Sequence, residues 1–526
     1  MRKRSETGVW WASPHIAAAI ALMPTVLAIF VIVHELTLHM ALGGVTLEPA
    51  GTNFASSVSL STGQLLYNNY PNSFPLTQPP GMSVLLLPFA WVTHGGDASG
   101  AMAAARIFTA VVSIINVFLV GLTARRHGIA STFVAGVLFA VFPFAFYATS
   151  SYMLEPFLVL FCLLAFQAAF SQGEMVTGGR LILAGALVGF AISIKPWALI
   201  PAIVLLVCAA FNWREALARV GGGILVGIAV PCVLFFLASP SSFLHDVVSA
   251  ELGSGGSRSG TMSSRIAEIL GLGAPIGVTR PNTLALAIGA ILLILVLVAA
   301  LGRASTSSIA DWAILGTTVG LVVIALLPAS LPVAYTYFLA AFGTIVVGNT
   351  IGTILSMISS ISVGTGDVSS SVAGGVTILF VAAMIAVTAV AAPKEATFEH
   401  NYFAANGSNP SAAIDSVVPK GSCVISNDPE ALVVANRFAE LPAGCPVLAD
   451  PAGIVKAAGS PAAGSGNHTV VAQWEQAFTL AHFFVEAPGS VQVPWSPALR
   501  AYFGRNYTLV HNAAFKIYEN KAPSLP

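Results

Sequence analysis

The sequence contains little charge. Only 8% of its 526 residues are Asp, Glu, Lys or Arg, whereas 56% are hydrophobic, and the mean hydropathy is +0.83. A soluble domain carries about 25% charged residues, so most of this chain must meet lipid rather than water. The 22 basic and 22 acidic residues balance each other, which excludes a broadly basic surface for nucleic acid.

Several signatures of soluble enzymes are also missing. The sequence has no Walker A loop, no H-E-x-x-H, no zinc-type cysteine cluster and no G-x-S-x-G. ATP-driven chemistry is therefore disfavoured. Of only five cysteines, Cys423 and Cys445 lie in the polar C-terminal part, where they could form a disulfide if that part is extracytoplasmic.

Long apolar runs predict about eleven transmembrane helices. These runs lie at 14–34, 105–124, 129–148, 153–171, 181–194, 196–211, 218–237, 283–301, 309–327, 333–358 and 373–392. A further apolar run, 81–92, is short for a span. If it does not cross, the basic segments 124–128, 178–180, 212–219 and 302–303 all face the cytoplasm, as does the N-terminus. We therefore predict an outer juxtamembrane helix at 81–92.

The predicted fold is a polytopic α-helical membrane protein with juxtamembrane helices in its first outer loop. A transmembrane domain covers residues 1–393, and a small C-terminal α/β domain covers 394–526. The charge pattern predicts a cytoplasmic N-terminus and an extracytoplasmic C-terminal domain. We expect the membrane to be the plasma membrane. Predicted strands in that domain are "GSCVISND", "HTVVAQW", "AHFFVEA" and "AFKIYEN".

The unusual polar residues of the membrane part all fall on the predicted outer side. Glu35 and Glu48 follow the first helix, Glu155 opens a later helix, and Lys195 interrupts "GFAISIKPWALI". Ionisable residues at membrane depth are costly, so each is a functional candidate. The simpler alternative for Glu155 and Lys195 is that they pair with each other or extend to the interface.

The outer loop at 239–282 offers cationic candidates for a phosphate group. It carries His245, Arg258 and Arg265, and guanidinium groups bind phosphate in a bidentate manner. An ordinary solvated loop is the alternative. Tyr335 and Tyr337 are further binding candidates at the outer interface, although an aromatic belt explains them equally simply.

The order of motifs resembles a known family. An acidic residue follows the first helix; then come "NFASSVSLSTG" and "LLYNNYPNSFPLTQPPGMSVLLLPFAW", with a Gly-x-x-x-Tyr and a Pro-Pro-Gly turn. "ARIFTAVVSIINVFLVGLTARRHG", "YATSSYMLEPFLVLF" and "AISIKPWALIPAIVLL" continue the pattern. Together they resemble the C-type integral membrane glycosyltransferases, which use polyprenyl-phosphate sugars. The resemblance is good to about residue 215 and looser beyond it.

This resemblance implies roles for individual residues. The family's general base is usually an Asp in the first outer loop, and counting back from Gly63 by the family's spacing reaches Glu48, with Glu35 as the alternative base. Tyr67 and Gln78, in the same loop, are candidate substrate-binding residues, and Glu155 would position the acceptor or bind a cation. Lys195 would contact the donor phosphate. Arg258 and Arg265 would stabilise the departing polyprenyl phosphate.

The resemblance also implies the reaction. It is transfer of a sugar, of mannose or arabinose type, from a polyprenyl-phosphate donor to a cell-envelope glycan or glycolipid on the outer face, with inversion at the anomeric carbon. No cofactor is certain, and a divalent cation stays open because metal dependence varies in the superfamily. Two alternatives remain: a transporter or flippase of lipid-linked sugars, and an inactive scaffold of envelope synthesis. The polar residues gather at one face rather than at the bilayer midplane, which favours surface chemistry over transport.

Overall fold

The computed structural model is mostly helical in its first two thirds. It describes residues 14–38, 50–67, 74, 76–142, 148–149, 151–249, 262–270, 287, 289–290, 308–326, 335–361, 409–457, 466–488 and 492–524. The helices of this part are α1 (Pro14–Leu38), α2 (Ala50–Ser61), α3 (Gly81–Val92), α4 (Ala98–Ala124), α5 (Ile129–Ala140), α6 (Glu155–Ala169), α7 (Gly179–Ile194), α8 (Leu199–Asn212), α9 (Arg214–Ala238), α10 (Pro240–Leu244), α11 (Met262–Ile269), α12 (Ile309–Leu326) and α13 (Tyr335–Ile361). A short antiparallel hairpin, made of β1 (Phe170–Ser171) and β2 (Glu174–Met175), joins α6 to α7.

Four helices are long and apolar enough to cross a membrane by length and composition, among the residues described. They are Ala98–His127, Arg214–Ala238, Ile309–Leu326 and Tyr335–Ile354. Shorter apolar helices lie at the predicted spans 129–148, 153–171, 181–194 and 196–211, and they run over Ile129–Ala140, Glu155–Ala169, Gly179–Ile194 and Pro196–Asn212. The runs at 283–301 and 373–392 lie almost wholly outside the described residues, so the count of eleven stays a prediction.

The run at 81–92 forms its own short helix. It passes through a 3₁₀ turn, Thr93–Gly95, and stops at Gly96, whose φ of 85° is left-handed. The Asp97 side chain accepts a hydrogen bond from the Gly100 N–H and caps α4. The residues of α3 therefore form an element distinct from α4. That α3 lies along the outer membrane surface remains a prediction.

Helices α7 and α9 pack closely through glycines on both sides of their contact. Gly185 and Gly189 on α7 face Gly223 and Gly227 on α9, and a Cβ at Gly223 would lie 2.9 Å from the Ala186 nitrogen. Glycines four residues apart let two apolar helices approach at the backbone, which increases dispersion contact without a hydrophobic driving force. This rigid pair fixes the C-terminal end of α7, which leads directly into Lys195.

The C-terminal region, which is described from residue 409, contains a mixed four-stranded sheet. Its strand order is β3–β4–β6–β5, with β3 and β4 parallel and the other neighbours antiparallel. The elements in chain order are α14 (Ser411–Val417), β3 (Val424–Ser426), α15 (Pro429–Val434), α16 (Pro451–Ala457), α17 (His468–Leu480), β4 (Phe483–Glu486), α18 (Pro497–Asn506), β5 (Tyr507–Asn512) and β6 (Lys516–Asn520). Trp474, Phe478 and Phe484 lie at the centre of its core.

One predicted strand is wrong. "HTVVAQW" forms the start of α17 rather than a strand. The Asn467 side chain accepts hydrogen bonds from the N–H groups of Thr469 and Val470, which caps the helix. Val470, Trp474 and Ala477 then fall on one buried face at helical spacing, so the cap and the core contact outweigh the strand preference of the valines.

Cys423 and Cys445 form a disulfide in this region, with Cα atoms 5.3 Å apart. The bond joins the residue before β3 to the loop that follows α15. Helix α15 therefore lies inside the covalently closed segment. Cys162, Cys208 and Cys232 are free and buried in the helical part.

Candidate active site

The loop between α2 and α3, which the sequence predicts to be the first outer loop, is fixed by contacts of Tyr67. Its hydroxyl donates to the main-chain carbonyl of Gln78, and its ring packs edge-on against Phe235 and Phe243, at 5.8 and 5.0 Å between centroids. Burial raises the pKa of Tyr67 well above its ordinary value, so the hydroxyl remains a donor at neutral pH. The two ends of the loop are thus joined across residues whose positions are not described.

Gly81 brings the Pro-Pro-Gly turn against the end of α7. A Cβ at Gly81 would lie 2.6 Å from the Ser193 carbonyl oxygen, closer than any side chain tolerates. The turn therefore requires glycine because of a close backbone approach rather than because of its φ angle. This contact places the outer loop two residues from Lys195.

Lys195 occupies the joint between two helices because of the proline that follows it. Pro196 disfavours the α conformation for the preceding residue, and Lys195 accordingly has φ −156° and ψ 135°. Helix α7 ends at Ile194, and the Lys195 side chain leaves the helix register.

Glu155 pairs with Lys195. Lys195 Nζ lies 3.0 Å from Glu155 Oε1, with side-chain exposures of 6% and 3%. The ammonium also lies 3.1 Å from the ring centroid of Tyr335 and 5.5 Å from that of Trp197. The pairing that the sequence left as the simpler alternative is present, and Tyr335 of α13 completes the surroundings of the cation.

Gln78 offers a buried hydrogen-bond acceptor. Its side-chain oxygen Oε1 is buried and has no hydrogen-bond partner among the described residues. A buried acceptor without a donor is costly, so such a group suits a ligand hydroxyl that arrives with the substrate. This atom lies three residues before the Gly81 turn.

The remaining cationic candidates that the structure describes, His245 and Arg265, each have a local partner. His245 is 77% exposed and binds Asp246 Oδ1 through Nδ1 at 3.0 Å. Burial raises the pKa of Asp246, and His245 opposes that shift. Arg265 on α11 is buried and donates to the Leu326 carbonyl at the end of α12, at 3.2 Å.

Two predicted site residues, Glu48 and Arg258, fall outside the described part. Glu35 lies within α1, in a stretch whose side chains are not described. Tyr337 is described, and it departs from the expected interfacial belt. It is buried in α13 with its ring 4.8 Å from that of Phe139.

Sequence reasoning missed two links between the membrane part and the C-terminal region. Arg106 of α4 forms a fully buried ion pair with Glu430 of α15 at 2.9 Å, and the Tyr152 hydroxyl donates to the same carboxylate oxygen. Asp450 accepts hydrogen bonds from Thr77, in the first outer loop. The signal for the first was available, because Arg106 is the charged residue of the apolar run 105–124.

No group of three His, Cys, Asp or Glu side chains is arranged for a metal ion within the described ranges.

Comparison with known proteins gives one similar family and several similar structures. The model of Glycosyltransferase family 87 matches residues 77–323, a segment that includes the Pro-Pro-Gly turn, Glu155 and Lys195. The chain has the fold of the C-type membrane glycosyltransferases, so the resemblance predicted from the sequence is confirmed. The apolar helices and these similar structures support a multi-pass membrane protein.

Particular solved structures then give the extent of the likeness. ArnT from Cupriavidus metallidurans, bound to undecaprenyl phosphate, is 13% identical with a TM-score of 0.54, over 97% of this chain and 98% of that one. The oligosaccharyltransferase of Archaeoglobus fulgidus, tethered to an acceptor peptide, is 12% identical with a TM-score of 0.56, over 98% of this chain and 75% of that one. The archaeal oligosaccharyltransferase AglB from Archaeoglobus fulgidus, in complex with an inhibitory peptide and a dolichol-phosphate, is 12% identical with a TM-score of 0.52, over 97% of this chain and 75% of that one. No curated protein matches the sequence.

Proposed function

We propose that this protein is a membrane glycosyltransferase that transfers a hexosyl or pentosyl group from a polyprenyl-phosphate donor to a cell-envelope glycan or glycolipid on the outer face. The observation that carries the proposal is the contact of Gly81 with Ser193. This contact brings the loop that carries the unpaired Gln78 oxygen to the C-terminal end of α7. Lys195 follows that end directly and pairs with Glu155 of α6. The family match over this segment and the similarity in fold support the same reading.

Lys195 is the proposed contact for the donor phosphate. Its charge is held at low exposure by Glu155 and by the ring of Tyr335, so little water competes for it. The phosphodiester monoanion of the donor can approach Nζ and share the ammonium with Glu155, because Lys donates up to three hydrogen bonds. Arg258 and Arg265 are the further candidates for the phosphate as it departs.

The proposed reaction is a single displacement. The acceptor hydroxyl loses its proton to a carboxylate of the first outer segment, and its oxygen bonds to the anomeric carbon. The bond from that carbon to the phosphate oxygen breaks, and the polyprenyl phosphate leaves with the electron pair. Glu48 is the proposed base, and Glu35 is the alternative.

The test is sugar transfer by the purified full chain in detergent. Wild type, Glu48→Gln and Glu35→Gln are compared with polyprenyl-phosphate mannose, polyprenyl-phosphate arabinose and a mixed envelope-glycan extract. Wild type should transfer one of these sugars, and Glu48→Gln should lose about a hundredfold or more of kcat while retaining donor binding. Loss in Glu35→Gln alone would move the base to Glu35. A wild type that binds donor and transfers nothing would favour a flippase or a scaffold.

A further inference from the structure

The C-terminal region lies directly along the first outer loop. The Phe74 N–H donates to the Val447 carbonyl at 2.9 Å, and the Ala449 N–H donates to the Phe74 carbonyl at 3.1 Å. Phe74 and Leu448 thereby form a parallel β-bridge. The Phe74 ring packs edge-on against Trp474, at 5.1 Å between centroids, so this loop residue belongs to the core of the C-terminal region.

Asp450 continues this contact with a buried carboxylate. Its Oδ2 accepts the Thr77 N–H at 3.1 Å and also the Thr77 hydroxyl, while Oδ1 accepts the Gly453 N–H at 2.7 Å. Asp450 is 2% exposed and forms no ion pair with any described residue. A buried charge without a counter-charge depends on its hydrogen-bond donors, and two of these three belong to the outer loop.

A short and stiff segment connects Thr77 to the candidate active site. Gln78 follows directly, with its main-chain carbonyl bound by Tyr67 and its side-chain Oε1 buried and unpaired. Pro79 and Pro80 fix their own φ angles, and Gly81 then abuts Ser193 beside Lys195. A displacement of Thr77 therefore moves Gln78 and the turn as a unit.

We propose that Asp450 is a positioning residue for sugar transfer: it holds Thr77 so that the Gln78 amide oxygen is fixed where a substrate hydroxyl binds. The C-terminal region is then a working part of the active site and not only a separate outer domain. This inference rests on the proposed glycosyltransferase function. Asp450 itself touches no substrate in this assignment, and its effect passes through the loop.

The variants distinguish positioning from general stability. Asp450→Asn removes the charge and replaces one acceptor oxygen by an NH2 donor, which must face either the Thr77 donors or the Gly453 N–H. Thr77→Val removes the hydroxyl at nearly constant shape. Thr77→Ser keeps the hydroxyl and serves as the conservative variant. Asp415→Asn is the matched control, because Asp415 belongs to the same region, is half exposed and pairs with Arg437 rather than with the loop. The distance between Asp415 Oδ1 and Arg437 is 2.7 Å.

Two measurements are made on the purified full chain. The first is amide hydrogen exchange of the peptide 74–81 without substrate. The second is kcat and KM for the polyprenyl-phosphate sugar that the wild type uses. We expect faster exchange and about a tenfold lower kcat/KM in Asp450→Asn and Thr77→Val, with Thr77→Ser and Asp415→Asn close to wild type.

Each outcome decides the proposal. Unchanged exchange in Asp450→Asn would show that the carboxylate does not hold the loop, and would overturn it. Faster exchange with wild-type kinetics would overturn the positioning role alone, while leaving the proposed function intact. A wild type that transfers no sugar would contradict the proposed function itself, and with it this inference, whatever the exchange data show.

Discussion

Two buried ion pairs of nearly equal length differ in their surroundings. Arg106–Glu430 and Lys195–Glu155 have distances of 2.9 and 3.0 Å. The first pair is completely enclosed, and the Tyr152 hydroxyl occupies the same Glu430 oxygen. The second keeps a small exposure and lies two residues from the Gly81 contact. We propose that the enclosed pair joins two parts of the chain, whereas the second pair, which we call the partly open pair, belongs to a ligand site.

Rupture of the enclosed pair should have the largest effect. Arg106→Met or Glu430→Met leaves one charge buried without its partner, which costs about 3–5 kcal/mol. The double variant Arg106→Met/Glu430→Met removes both charges and should recover most of the stability and of the transfer activity. Thermal unfolding in detergent and transfer assays measure this. A double variant that is stable and inactive would show that the Arg106–Glu430 pair acts in the reaction. The two pairs would then no longer differ in role.

The partly open pair should respond differently to the same design. Lys195→Met should destabilise the chain for the same electrostatic reason and weaken donor binding by about ten- to a hundredfold. Lys195→Met/Glu155→Met should recover stability but not donor binding, because the phosphate contact is still missing. Binding of a labelled polyprenyl-phosphate sugar to the detergent-solubilised protein tests this. Recovery of binding in the double variant would make Lys195 a structural residue.

The stability effect of removing the disulfide should depend on the enclosed pair and not on the partly open pair. Glu430 lies between Cys423 and Cys445, whereas neither Lys195 nor Glu155 does. Closing a loop of this length lowers the entropy of the unfolded chain by an amount worth about 3 kcal/mol. Cys423→Ser/Cys445→Ser should therefore lower the unfolding temperature. Because the bond also closes the segment that carries Glu430, its cost should be non-additive with that of Arg106→Met and additive with that of Lys195→Met. Additivity with both pairs would show that the closed segment does not support Glu430.

The sequence allowed both members of the second pair to be recognised, but of the first pair it marked only Arg106. Glu155 and Lys195 could be recognised because a charge in an apolar run is costly, and Pro196 marks the joint that holds Lys195. Glu430 and Asp450 lie in a polar region where carboxylates are ordinary, and their partners are more than 300 residues away in the chain. No local pattern encodes such contacts. Helix α17 was misjudged for a related reason, because its capping and core contacts outweigh local strand preference.

The smallest effect should come from the turn that separates the two environments. Gly81→Ala places a Cβ 2.6 Å from the Ser193 carbonyl, and overpacking of this kind costs about 1–3 kcal/mol. Gly95→Ala is the matched control, since a Cβ there meets no atom within 4 Å. Gly81 abuts the helix end that leads into Lys195. Gly81→Ala should therefore cost more free energy in transition-state stabilisation, measured from kcat/KM for the donor, than in the free energy of unfolding. The Arg106–Glu430 pair takes no part in the contact of Gly81 with Ser193, so adding Arg106→Met/Glu430→Met should change stability additively. Equal effects of Gly81→Ala and Gly95→Ala would mean that the turn does not press on α7, and the link between the outer loop and Lys195 would be lost.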